Sequence, residues 1–306
     1  MNKSFLPFPH AVYGTPPPDL VDLPDNAGQL SPLIPGSASL EALSDASLQS
    51  LCIAAPQGSL ERRFVLGHGL RAVAPGGELT VLAPKDKGGS RLAGELQDFG
   101  CEVAETYKSR QRICRVVRPD AALPLKPAIQ AGSPILLDGL GLWTQPGVFS
   151  WDRLDPGSAM LMALLPDLSG DGIDLGCGLG FLMRKALTSA KVTSIAGFDI
   201  DRRAVECASH NIVDERASFH WADARKHGME KLDFVISNPP FHSDGVEQRS
   251  LGQDFIRAAR AALRRGGVFW LVANRHLPYE AVLTKAFRKV EVRQDQNGYK
   301  LLEAIA

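Results

Sequence analysis

Four polar residues stand where apolar runs end. Asp174 lies in Gly172-Ile173-Asp174-Leu175, directly ahead of Gly176-Cys177-Gly178-Leu179-Gly180. Asp199 closes Ile195 to Phe198, and Asp223 follows Phe219 to Trp221 with Ala224 beside it. Asn238 opens Asn238-Pro239-Pro240-Phe241-His242. Each type suits a task. Glycines at alternate positions allow a tight turn and leave bare main chain for a ligand. A carboxylate 19 residues past Gly180 can accept both hydroxyls of a ribose. Asp223 and Ala224 fall where an adenine amino group would be met. Asp174 can hold the turn and reach an ammonium, directly or through water.

The ribose carboxylate serves NAD and S-adenosylmethionine alike. The dinucleotide fingerprint wants glycine or alanine at position 181, and Phe181 stands there. S-adenosylmethionine is therefore the expected cofactor, held by Asp174, Gly176, Gly178, Gly180, Asp199, Asp223, Ala224 and the backbone around Asn238. Two prolines remove two donors after Asn238 and stiffen its loop. The Asn238 side-chain oxygen and the Pro239 carbonyl can then point at one planar amino group. Two accepted hydrogen bonds localise the nitrogen lone pair, which is what methyl transfer to such a group needs. Phe241 can stack on a flat base. Asn238, Pro239 and Phe241 are the expected catalytic set, and no metal is expected. His242 reads as a loop hydrogen-bonding residue. Asn274 and Arg275 end a later strand, where they either line the target pocket or cap the strand.

These residues need elements to hold them in register. Asp155 reads as the N-cap of a helix over Pro156–Leu165. Helices are expected over 181–189 and 202–212, and strands over 192–198, 217–221 and 232–236. Strands alternating with helices mean parallel βαβ units, whose ligands sit beyond the strands' carboxyl ends.

Earlier in the chain, residues 1–45 are proline-rich and read as an arm with a short strand near Leu20–Leu23. Residues 46–118 read as a smaller α/β domain, with a strand over 48–54, a helix over 60–74, a turn at Pro75-Gly76-Gly77 and a strand over 78–83. Leu70 to Ala83 parallels Ala259 to Ala273, and Leu51 to Pro56 parallels Phe234 to Pro239. Such a repeat implies two copies of one unit. The first has Ala55 where the second has Asn238 and lacks a glycine-rich turn, so it is expected to be a truncated, silent copy. Lys108, Arg110, Arg112, Arg115, Arg118 and Lys126 make its most basic stretch. Arginines at alternate strand positions would share one face, either solvated or binding phosphates. Residues 119–140, with four prolines, read as a linker, and Gly141–Trp151 as a short hairpin.

Composition narrows the class. The 306 residues are 44% hydrophobic and 22% charged, as in ordinary globular domains. Net charge is zero, with 13 basic and 14 acidic residues in the first 150, so no global basic field exists and any nucleic acid must meet a local patch. No run approaches a membrane span, and the N-terminal decapeptide lacks a signal-peptide core. The five cysteines are scattered, which fits a reducing cytoplasm and packing roles.

Residues 141–306 resemble the class I S-adenosylmethionine-dependent methyltransferases. More narrowly, they resemble the methyltransferase small domain of the rRNA guanine-N2 methyltransferases. Pro146 to Ser150, Leu154 to Ser158, Asp174 to Gly180, Asn238 to His242 and Ala273 to Tyr279 carry the likeness. The resemblance implies a Rossmann-like, seven-stranded mixed sheet behind a smaller degenerate α/β domain that helps bind RNA. It implies methylation of guanine N2 in rRNA or a ribosomal subunit particle by a cytoplasmic, monomeric enzyme. A protein glutamine amide or a DNA base amino group is the alternative substrate. An RNA-binding assembly factor without turnover is the non-enzymatic alternative.

Overall fold

The computed structural model describes residues 8–240, 246–277 and 279–306. The chain divides into two compact units, Met1–Pro134 and Ile135–Ala306.

The first unit contains β1 (His10–Tyr13), β2 (Gly28–Gln29), β3 (Leu48–Ala54), α1 (Ser59–Ala72), β4 (Val73–Pro84), α2 (Leu92–Asp98), β5 (Ala104–Lys108), β6 (Gln111–Val117) and α3 (Lys126–Gly132). Its sheet runs β2-β1-β3-β4-β6-β5, parallel from β2 to β4 and antiparallel at β6. The stretch read as an arm thus supplies two strands. They were hidden because four and two residues are too short to show a period among prolines. The strand expected at Leu20–Leu23 is absent. Those residues form a turn and coil, and Leu20, Val21 and Leu23 lie on Val12, Cys52, Leu82 and Ile113. The opposite face packs α1, α2 and α3 against Leu51, Ile53, Leu79, Val81, Cys114 and Val116. Among the described residues, helices cover one face only.

Three sequence expectations for this region need correction. The turn at Pro75-Gly76-Gly77 lies inside β4. The stretch read as a linker holds α3, because Pro127 occupies the first turn of the helix, where a missing N–H costs nothing. The arginines do not share one face. Arg110 sits in the β5–β6 turn at φ 62°, and Arg112 and Arg115, three apart on β6, point to opposite sides. Arg112 lies 5.3 Å over the Tyr107 ring, and Arg118 donates to Leu70 O at 2.7 Å.

The second unit contains β7 (Ile135–Leu137), β8 (Leu142–Thr144), α4 (Pro156–Leu164), β9 (Gly170–Leu175), α5 (Phe181–Leu187), β10 (Val192–Asp199), α6 (Arg202–Asn211), β11 (Ala217–Trp221), β12 (Leu232–Ser237), α7 (Val246–Ala262), β13 (Leu263–Asn274), α8 (Glu280–Ala286), β14 (Lys289–Gln296) and β15 (Tyr299–Ile305). Its seven strands run β11-β10-β9-β12-β13-β15-β14, parallel up to β13 and antiparallel beyond. This is the expected Rossmann-like mixed sheet. Strands buried on both faces read as unbroken apolar runs, as in Phe234-Val235-Ile236. One face takes α4, α5 and α6 against Ile195, Ile236 and Val272; the other takes α7 and α8 against Ile173, Val235 and Leu271. The hairpin is β7–β8, Ile135–Thr144, earlier than the Gly141–Trp151 expected. Its tie is Asn211, which accepts from Trp143 N at 2.7 Å and donates to Trp143 O at 2.9 Å.

Dropping β11 from the second sheet leaves the strand order and strand sense of the first. A small irregularity recurs with it. Both β4 and β13 carry a left-handed glycine, Gly76 and Gly266, followed by Gly77 and Gly267. A Cβ on Gly77 would lie 2.7 Å from Gln49 O, and one on Gly267 2.9 Å from Leu232 O, so both close approaches need glycine.

Candidate active site

β11, β10, β9 and β12 are consecutive in the sheet, so their carboxyl ends set Asp223, Asp199, Asp174 and Asn238 side by side. At the usual strand spacing they span about 14 Å, room for a nucleoside with an attached amino acid.

The glycine loop joins β9 to α5. Gly176, Gly178 and Gly180 all have positive φ, at 81°, 52° and 86°. Gly176 N and Cys177 N both donate to Phe198 O, at 2.8 and 3.0 Å, which pins the loop to β10. A Cβ on Gly180 would meet Ile212 Cδ1 at 2.7 Å, whereas one on Gly178 would meet nothing within 4 Å. Gly180→Ala is therefore expected to cost about 2 kcal/mol, from left-handed strain plus a clash. Gly178→Ala is expected to cost about 1 kcal/mol from strain alone. Urea unfolding of the two variants checks this; equal midpoints would contradict it.

Asp199 does two things. Its Oδ2 accepts from Gly178 N at 2.9 Å and its Oδ1 from Asp201 N at 2.9 Å. Each oxygen keeps a lone pair for a ligand hydroxyl. Burial pushes its pKa up to about 6, against the pull of those backbone donors. Asp174 is fully buried, and neither carboxylate oxygen has a partner among the described residues. Desolvation first, and the neighbouring Asp199 second, raise its pKa well above the usual range. A buried acid without a partner is costly and marks a place prepared for a cation.

Asp223 is less free than its position suggested. Both of its oxygens bind the Arg225 guanidinium, each at 2.8 Å, which holds its carboxyl below the usual range. The signal was legible as Asp-x-Arg, because Asp223 also caps the short helix Ala224–Lys226. Ala224 is buried beneath it. Between Asp199 and the next cap lies Ile200, an apolar side chain 42% exposed. Sequence reasoning passed over it, although an apolar residue between two acids at a strand end is a visible signal. Its carbonyl accepts from Trp221 Nε1 at 2.9 Å.

Asn238 is the most constrained of the four. Its Nδ2 donates to Asp155 Oδ2 and to Ser158 Oγ, both at 2.8 Å. Its Oδ1 is buried with no partner among the described residues. Ser237 Oγ donates to Leu175 O at 2.6 Å and ties β12 to β9 just before it. Pro239 is buried; Phe241 and His242 lie outside the described residues. Arg275 donates to Asp295 Oδ1 at 2.6 Å, so that guanidinium is engaged by β14. No group of three or more His, Cys, Asp or Glu that could hold a metal occurs among the described residues. No helix among them is long and apolar enough to cross a membrane.

Residues 139–303 match the family model described as Methyltransferase small domain, which is more than half of the chain. The chain belongs to that family. Relatives of this methyltransferase small domain protein include the ribosomal RNA small subunit methyltransferase C of Shewanella loihica, 29% identical over 78% of this chain and 71% of its own length. The enzyme of the same name from Shewanella piezotolerans is 35% identical over 52% of this chain, which spans 47% of that relative. Among solved structures, a T. thermophilus 16S rRNA N2 methyltransferase in complex with AdoMet and guanosine aligns over 99% of this chain and 90% of its own, with a TM-score of 0.77 at 22% identity. That likeness places the fold of the whole chain.

Proposed function

We propose that this protein is an S-adenosylmethionine-dependent N-methyltransferase that modifies the exocyclic N2 amino group of a guanine in rRNA, free or in a subunit particle. The observation that carries this reading is Asn238 Oδ1, a buried acceptor at the end of β12 without a partner among the described residues. It is supported by the names of the rRNA-modifying relatives and by the guanosine in the T. thermophilus complex. The reading carries with it a site of action in the cytoplasm, where ribosomal subunits are assembled.

The residues fit the cofactor. The two unpartnered Asp174 oxygens suit a cationic amino acid end, the glycine loop admits it against bare main chain, and the Asp199 lone pairs suit ribose hydroxyls. Ile200 offers an apolar surface for the adenine. When bound, the cofactor supplies an electrophilic methyl group carried on a sulfonium. Asn238 Oδ1 and the Pro239 carbonyl accept the two amino hydrogens of the target base, which localises the nitrogen lone pair and aims it. Catalysis is then positioning, with no strong base required, because the nitrogen loses one proton to solvent only after positive charge has developed on it. Phe241 is assigned the stacking role.

The first unit is read as a silent copy of the second. Shared strand order, the paired glycines of β4 and β13, and Ala55 in place of Asn238 support that.

Tritiated methyl transfer to an unmodified small-subunit rRNA transcript, small ribosomal subunits, DNA and a protein pool tests the reading. Label in rRNA, released on digestion as N2-methylguanosine, is expected. Label in adenine, in DNA or in glutamine would overturn it.

A further inference from the structure

A carboxamide has an accepting end and a donating end, and half a rotation about one bond exchanges them. With the exchange, Asn238 would present N–H groups to an amino group and hold nothing. The structure contains the device that forbids it. Asp155 Oδ2 receives the Asn238 Nδ2 hydrogen at 2.8 Å, and the same oxygen accepts from Ser158 N at 2.8 Å. Ser158 Oγ takes a second hydrogen from Nδ2 at 2.8 Å. A carboxylate only accepts, so the nitrogen of Asn238 must face it and the oxygen must face away.

We propose that Asp155 is a positioning residue for methyl transfer, locking the Asn238 carboxamide with its oxygen toward the acceptor's amino group and drawing electron density through the amide onto that oxygen. This rests on the reading of Asn238 as the amino-group acceptor. The first half of the claim is geometric. The second follows from a hydrogen bond to an anion, which favours the amide resonance form with negative oxygen and strengthens its next hydrogen bond. The cap of α4 is what makes the carboxylate available. Asp155 and Pro156 start the helix, and the backbone turn that satisfies Ser158 N aims the carboxylate across to β12. Burial and the Asp155 charge also push the Tyr299 phenol up, so β15 borders the pair with a neutral hydroxyl.

Asp155→Asn separates this role from helix capping, because asparagine caps as well as aspartate. The variant is expected to keep its melting temperature within about 2 °C and its cofactor Kd within about threefold, while kcat falls roughly 10- to 100-fold. In the Asn238→Ala background, Asp155→Asn is expected to change the residual rate by less than about twofold, since two residues acting through one group are non-additive. An undiminished kcat in the single variant would overturn the proposal. So would the same fold-loss in both backgrounds, which a merely structural role gives. The side-chain NH2 resonances of Asn238 give a readout that needs no substrate. A downfield, exchange-protected pair that moves upfield in Asp155→Asn, where a neutral oxygen replaces the anion, and loses its protection in Asp155→Ser, which caps but is too short to reach Asn238, supports the lock; a pair unchanged in either variant refutes it. That readout stands even if wild type methylates something other than guanine, so the two readings fail separately.

Discussion

Asn238→Ala is expected to bind S-adenosylmethionine with a Kd within about threefold of wild type and to turn over roughly 10²- to 10³-fold more slowly. The substitution leaves intact the glycine loop, Asp174 and Asp199, where the cofactor is proposed to sit. What it removes is Oδ1, which has no partner among the described residues and is the acceptor proposed to orient the nucleophile. Loss of the acceptor acts on the reacting geometry, so kcat carries the effect. The deletion also strips a donor from Asp155 and Ser158, and a stability loss of about 1–2 kcal/mol should accompany it. Calorimetry for the cofactor and single-turnover methyl transfer separate the two effects. Turnover within threefold of wild type would sink the assignment of Asn238.

Asp174→Asn should move stability and binding in opposite directions. The acid is buried beside Asp199 with no partner among the described residues, and its ionisation is opposed by desolvation and by its neighbour. A neutral amide of the same shape relieves that, and the cofactor-free variant is expected to be more stable at neutral pH by about 1–3 kcal/mol. Cofactor affinity should fall roughly 30- to 100-fold, because an ammonium loses its anion. Stability gained by discarding a group that binding needs is the usual trade at such sites. The pH dependence follows the same logic. The folded protein holds the Asp199 proton up to about 6, whereas the unfolded chain releases it near 3.8. Folding therefore binds protons in that window, and the Asp199 contribution weakens as pH rises from about 4 to 6, by about 3 kcal/mol in all. Binding a cation reverses the preference. The melting-temperature gain on adding cofactor is expected to be larger at pH 7.5 than at pH 5.5. A variant that melts lower than wild type without cofactor, or a gain that grows on acidification, would contradict this account.

The polar strand ends were more legible in the sequence than the packing that aims them. Strand ends and spacing gave the four polar residues, because the parallel sheet converts spacing along the chain into adjacency at one edge. The cap at Asp155 was visible from Asp-Pro, but its second hydrogen bond joins residues far apart in sequence, and no local pattern encodes it. Asp199 was legible as a polar strand end and not as the brace of the glycine loop, because the bond to Gly178 N exists only once β9 and β10 pair. Phe181 signalled the absence of a dinucleotide fingerprint, while Arg225 was overlooked as the partner that occupies Asp223. In the first unit, prolines masked β1, β2 and α3. Composition there suggested irregularity, whereas tertiary pairing and a helix start used the same residues.

The brace at Asp199 has a counterpart worth following. In the first sheet β2 stands beside β1 as β10 stands beside β9, and Gln29 closes β2. Its Oε1 accepts from Gly14 N at 3.2 Å and from Ser31 N at 2.9 Å, as Asp199 accepts from Gly178 N and Asp201 N. The amide carries no charge, and the same kind of brace is made without it. On the proposed reading of the first unit as a copy of the second, the pair of sheets runs the control that a mutagenesis series would set up. It separates the duty of keeping a crossover in shape, which a neutral amide also discharges, from the ligand contact proposed for the charged version alone.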